Sequence, residues 1–245
     1  MNKNDSLGDR MKEYESVTQS KVMKRTPTLI RLDGKSFHTF TKQINKQNDS
    51  SLLHGPFSEK LHWVMKYTTQ QLFNHIQNVK FAYTQSDEIT LLLTDWNTLQ
   101  TDQWFGGKIQ KIASVSASIA TAYFNRYFPL VFDDIVELEP AFFDSRVFNI
   151  PKEEVANNFI WRQHDCTRNS VNMLGQFYFS HKQLHGKKCN EVQDMLMLEH
   201  NVNWNNLADW KKRGTCVYSA HSNVVIDENI PVFTQDRNFI EKFLD

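Results

Sequence analysis

Apolar positions along this chain recur with two different periods, and the alternation between them lays out an architecture. Thr28–Leu32 is a short, β-branched apolar run that stops at Asp33-Gly34, the pattern of a buried strand ending in a turn. From Phe57 to Gln77, the residues Leu61, Val64, Met65, Leu72, Phe73 and Ile76 recur at helical spacing, with Pro56 where a first-turn proline is tolerated. Val79–Thr84 and Ile89–Leu93 then read as two strands joined by the polar tip Gln85-Ser86-Asp87-Glu88. Gly106-Gly107 precede a second helical stretch, Lys108–Phe124, rich in small serines and alanines that let a helix lie close on a sheet. Phe143–Ile150 supplies a fourth strand.

The order strand, helix, strand, strand, helix, strand predicts an α+β fold of the split βαβ (ferredoxin-like) kind, an antiparallel sheet with helices on one face. Residues 1–150 form that unit. Residues 151–245 turn polar and helical, with Trp161-Arg162-Gln163-His164-Asp165, a helix near Cys189–His200 and the basic segment Trp210-Lys211-Lys212-Arg213-Gly214. With no repeat and no flexible linker, this C-terminal part is expected to pack on the first.

That topology has a chemical consequence. The end of the first strand and the hairpin tip meet at one edge of the sheet, so Asp33 and Asp87 converge from distant positions. Two carboxylates held together suit Mg²⁺, a hard cation that takes oxygen ligands and shares them with substrate phosphates. A pair of such ions clamps the attacking and leaving oxygens of a phosphoryl transfer. Adjacent strand residues point to opposite faces, so Asp87 ranks ahead of Glu88 as a ligand. Lys46, Lys108 and Lys111 are candidates for phosphate, with Lys108 in the first turn of its helix, where free amides favour an anion. His38 and Ser86 flank the two aspartates.

Composition narrows the rest. The chain has 245 residues with 28 basic against 28 acidic side chains, so any nucleic acid must be held by a local basic patch and not by overall charge. Cys166, Cys189 and Cys216 are odd in number and far apart, which fits reduced thiols in a cytoplasmic protein better than disulfides or a zinc site. Met1–Arg10 lacks the apolar core of a signal peptide, and no apolar run reaches the ~20 residues that span a bilayer.

Four motifs, Arg31-Leu32-Asp33-Gly34-Lys35-Ser36-Phe37-His38-Thr39-Phe40, Ala82-Tyr83-Thr84-Gln85-Ser86-Asp87-Glu88, Phe143-Asp144-Ser145-Arg146 and Trp161–Asp165, occur in the order and spacing of the tRNA-histidine guanylyltransferase family. The resemblance runs from about Leu7 to Gly214. It implies a polymerase-like palm that adds nucleotides to a tRNA 5′ end in the 3′-to-5′ direction, after ATP activates that end and an incoming triphosphate displaces the activating group. It also implies that Asp33, the Gly34 carbonyl and Asp87 bind two Mg²⁺ ions, that Glu88 supports them, and that the enzyme is a homotetramer. Arg31, Lys35, Phe37, His38, Lys46 and Ser86 fall at its nucleotide and phosphate positions. Arg162, Arg168, Lys212 and Arg213 are the candidates for tRNA contact.

Where eukaryotic members carry His-Ile-Asn-Asn and then Leu-Tyr-Asn, this chain has Thr167-Arg168-Asn169-Ser170 and Val171-Asn172-Met173. The pattern is closer to the guanylyltransferase-like proteins of bacteria, archaea and phages, whose implied role is template-dependent repair of 5′-truncated tRNA with GTP or other triphosphates. G addition to tRNA-His remains within that reading. Two alternatives are a palm-fold nucleotide cyclase, which would not need the C-terminal motif and basic segment, and a non-catalytic tRNA-binding protein, which would not need Asp33, Asp87 and Glu88.

Overall fold

The computed structural model describes residues 7–47, 55–133, 135 and 138–245, without the side chains of residues 45–47. Helix α1 (Leu7–Ser16) leads to strand β1 (Thr28–Gly34), helix α2 (Phe37–Gln47) and helix α3 (Glu59–His75). The hairpin β2 (Val79–Gln85) and β3 (Glu88–Leu93) follows, then α4 (Ile109–Tyr127) and β4 (Phe143–Asn149). The C-terminal part holds α5 (Val155–Tyr178), α6 (His181–Leu184), α7 (Cys189–His200), α8 (Asp209–Arg213), β5 (Thr215–Ala220), β6 (Asn223–Asp227) and α9 (Asn238–Glu241).

The six strands form one antiparallel sheet in the order β4-β1-β3-β2-β5-β6. Its first four strands are the expected split βαβ unit, and the α+β palm-like fold stands. Two features were not legible beforehand. The C-terminal part adds β5 and β6 to the sheet beside β2, and it covers the face that α2, α3 and α4 leave open.

Strand alternation sorts the side chains between the two cores. Ile30, Leu32, Ala82, Ile89 and Leu91 pack with Phe37, Phe40, Val64, Met65, Leu72, Ala120 and Phe124 under the helices. Leu29, Phe81, Tyr83 and Leu92 pack on the other side with Val155, Ala156, Phe159, Ile230 and Phe233. Because both faces are covered, β2 and β3 read as nearly continuous apolar runs.

Helix boundaries follow local chemistry. Helix α3 starts later than its periodicity suggests, because Ser58 caps it by accepting from the Leu61 amide at 3.2 Å, leaving Pro56 outside the first turn. In α4 the small residues Ser116 and Ala120 are fully buried, and Ser116 Oγ lies 2.8 Å from Ser145 Oγ of β4. Helix α2, unanticipated, buries Phe37, Phe40 and Ile44. No helix among the described residues is long and apolar enough to cross a membrane.

One position is fixed by backbone alone. Gly214 joins α8 to β5 at φ 83, ψ −165, a region open essentially to glycine, and a Cβ there would meet the Thr84 carbonyl oxygen at 2.6 Å. Gly214→Ala is therefore expected to destabilise the fold by about 1–3 kcal/mol or more, read as a lower urea midpoint with unchanged slope.

Candidate active site

Asp33 sits in the last position of β1 that pairs with β3, opposite Glu88, and lies opposite Asp144 of β4. Immediately beyond it, the Gly34 amide donates to the Asp87 carbonyl at 3.2 Å. The expected convergence is therefore made by the backbone itself. Gly34 is needed there because a Cβ would run into the Phe37 ring. Ser36 and Ser86, in the two loops that meet at this edge, adopt left-handed conformations at φ 54 and φ 51, which are unusual for serine.

Among the described residues neither Asp33 nor Asp87 has an ion-pair partner. Burial raises the Asp87 carboxyl above its ordinary value and the Asp33 charge raises it further. The Asp87 backbone amide and the Ser86 hydroxyl, 3.0 Å from Asp87 Oδ1, act in the opposite direction. Two crowded carboxylates with no basic partner among the described residues form a donor set that fits a divalent cation, and Gly34, whose amide ties the two loops, follows Asp33 directly.

Other predicted site residues separate into three groups. Near the carboxylates are Arg31, Lys35, His38 and Ser86. Arg31 shares the sheet face of Asp33, its guanidinium 5.5 Å from the centroid of the half-exposed Trp161 ring, and its buried Nε has no partner among the described residues. Lys35 and His38 are exposed on the turn and in the first turn of α2. Phe37, by contrast, is a core residue, 5% exposed and packed on Phe40, Phe124 and Phe143, because the first turn of α2 drives it under the sheet. The Lys46 side chain lies outside the described residues.

A second group is drawn into the fold. Glu88 faces α5, where its Oε1 accepts from Arg162 Nε at 2.7 Å. Arg162 is 6% exposed and its other end donates to Asp165 at 2.7 Å, so it bridges two carboxylates and has no free edge for RNA. Burial raises Glu88 and outweighs the lowering by Arg162. Lys212, also 6% exposed, is held by the Asn205 carbonyl at 2.8 Å and by Asp209 at 3.1 Å. Arg213 binds Asp209 and the Ile230 carbonyl. Arg168 remains on the surface, paired with Asp165.

The third group lies at the wrong end. Lys108 is the N-cap residue of α4, one position before the first turn. Its neighbour Gly107 accepts from Val22, and Met23 bonds Asn149, the partner of Thr28 at the start of β1. Asp33 is five positions along from Thr28, roughly 17 Å in a strand. Lys108 and Lys111 are thus a strand's length from the carboxylates of their own chain, and Lys111 lies over Phe105 at 4.6 Å. Asp144, which received no role from its motif, is a further carboxylate that the register brings beside Asp33, across from Glu88. Burial pushes the Cys166 thiol up to about 12, and the three cysteines are free.

A palm-like antiparallel sheet with paired carboxylates at its edge defines the class: a palm-fold nucleotidyltransferase. Residues 8–151 match the family model described as Thg1, tRNAHis guanylyltransferase, and the chain belongs to that family. A solved bacterial tRNA(His) guanylyltransferase (Thg1)-like protein in complex with ATP is 42% identical, with TM-score 0.88, covering 97% of this chain and 99% of its own. A solved structure of a bacterial Thg1-like protein in complex with GTP is 36% identical with TM-score 0.80, covering 98% of this chain and 99% of its own. The tRNA(His) guanylyltransferase of Kluyveromyces lactis is 28% identical over 234 residues, 87% of this chain and 93% of its own.

Proposed function

We propose that this protein repairs tRNA by template-dependent 3′-to-5′ nucleotide addition to the 5′ end. The observation that carries the reading is the pair Asp33 and Asp87, without a basic ion-pair partner among the described residues and tied together through Gly34 at the edge of a palm sheet. Two Mg²⁺ ions bound there would neutralise phosphate charge and align the attacking and leaving oxygens. The chain's own contribution is positioning. Arg31, Lys35, His38 and Ser86, in the strand and turns that carry the carboxylates, would supply donors for the phosphates of ATP, GTP or another triphosphate, in keeping with the ATP and GTP complexes of the bacterial Thg1-like structures.

In this reading residues 1–150 are the catalytic palm and residues 151–245 complete its sheet and carry the tRNA, in a cytoplasmic homotetramer. Of the four basic candidates, Arg168 keeps the exposure an RNA contact requires. The acceptor stem would be held through phosphates, which position an RNA without reading its sequence, and pairing with the opposing base would choose the nucleotide.

The test is single-turnover incorporation on tRNA lacking its first nucleotide, with each triphosphate offered in turn. Changing the opposing base from C to A is expected to switch incorporation from G to U. Swapping the anticodon should change the rate by no more than the tenfold that ~1.4 kcal/mol represents. If G enters regardless of the template, or only a histidine anticodon supports reaction, the enzyme is a strict guanylyltransferase instead.

A further inference from the structure

Past Ser86, a cavity of about 110 Å³ opens between the end of β2, the start of α3, the middle of α5 and α8. The geometry points to a pocket for a single nucleobase, held by the Gln85 and Asn169 carboxamides and walled by Leu61, Met173 and Trp210. This rests on the proposed nucleotidyl transfer and adds to it a base site next to the carboxylates.

Size is the first argument. Sites that enclose a whole drug-sized ligand run to roughly 300–1,000 Å³, so this cavity takes one flat ring and leaves sugar and phosphates outside. Its walls are preset. Trp210 is stacked on His62 with ring centroids 4.0 Å apart and planes 10° from parallel, and His62 is anchored at 2.7 Å on Glu228, which also holds Lys66 at 2.9 Å. A wall that does not reorganise loses little order when a ring docks against it.

The polar groups supply the second argument. Gln85 is 7% exposed and lines the cavity with Asn169, and among the described residues neither carboxamide has a hydrogen-bond partner. Their donors and acceptors stay open to the cavity, where a ligand can take the place of water. A carboxamide presents a donor and an acceptor side by side, the arrangement that meets the edge of a base such as adenine bidentately. Among the described residues no carboxylate lines the cavity, and the lysine that does, Lys211, is paired with Glu59 at 3.2 Å. The interior therefore suits a neutral ring and not a phosphate. Gln85 is followed directly by Ser86, whose hydroxyl bonds Asp87, so a nucleotide seated by its base here has its phosphates directed at the carboxylates.

The base could come from a free triphosphate or from a tRNA nucleotide, and the experiment separates them. Equilibrium binding of labelled ATP, GTP, CTP and UTP, and separately of 5′-truncated tRNA, is measured for wild type, Gln85→Leu and Met173→Trp. Met173 is 40% exposed at the cavity mouth, so a tryptophan there can fill the cavity without disturbing the sheet, and thermal melting confirms folding. At least tenfold weaker triphosphate binding in both variants assigns the pocket to the free nucleotide. Weaker tRNA binding alone assigns it to an RNA base. Affinities within twofold of wild type for both ligands overturn the pocket, and Met173→Trp decides if Gln85→Leu fails to fold. The same measurements in an Asp33→Ala background without Mg²⁺ should keep the Gln85 effect, so loss of the transfer reading and loss of the pocket are told apart.

Discussion

Replacing Asp87 with alanine is expected to cut nucleotide addition at least about a hundredfold, ~2.7 kcal/mol of barrier, and Asp33→Ala to do the same. Each change removes a charge from the sheet edge and not a contact from either core, so the protein should remain folded. Asp87→Asn gives a sharper result, because the environment already disfavours the ionised form. Burial and the Asp33 charge hold the folded carboxyl above its ordinary value. A group whose folded pKa is raised loses stabilising effect as pH rises, so the metal-free wild type carries an unrelieved charge at neutral pH. Asp87→Asn should thus melt higher than wild type at pH 7.5 without Mg²⁺, and the gap should narrow as the pH falls and the Asp87 carboxyl takes up its proton. Added Mg²⁺ should raise the wild-type melting temperature and leave the variant's unchanged. Activity above a tenth of wild type in Asp87→Ala, at saturating Mg²⁺, would remove the two-metal reading.

Arg162→Ala should instead destabilise the whole molecule. Glu88 and Arg162 side chains are 10% and 8% exposed and joined at 2.7 Å, with Asp165 completing the bridge. Removing one partner of a buried pair typically costs about 3–5 kcal/mol, since the other charge stays buried alone. Without the guanidinium, Glu88 rises further above the ordinary carboxylate range, so the loss should be larger at pH 8 than at pH 5. Urea melts at the two pH values measure this directly. The double change Glu88→Gln with Arg162→Met should recover much of the stability, because it leaves no uncompensated charge. A single variant within 1 kcal/mol of wild type at pH 8 would mean that water reaches Glu88 freely.

The sequence by itself determined the elements whose signal is local. Periodicity placed α3, α4, α7 and the first four strands close to their observed bounds, and their order led to the palm-like sheet. From that sheet it followed that Asp33 and Asp87 meet, since antiparallel pairing leaves few ways to arrange the strands. Helix α2 was legible in the spacing of Phe37, Phe40 and Ile44 but was masked by a motif that drew attention to its polar residues.

Only the tertiary structure decided the rest, and the reason is common to each case. Whether a basic side chain faces RNA or a buried carboxylate depends on what packs over it, and composition does not encode that. Trp161-Arg162 and Lys211-Lys212-Arg213 look alike as charged, aromatic surface, yet Arg162 and Lys212 are buried among acceptors while Lys211 lies at a pocket rim. Lys108 and Lys111 carry the right charge at the wrong end of a strand, a distance that appears only when α4 is laid along the sheet. Strand β5 gains its identity by pairing with β2, a contact between residues more than a hundred positions apart, and β6 by pairing with β5. The same pairing puts Gly214 against Thr84, and with it closes the pocket around Gln85.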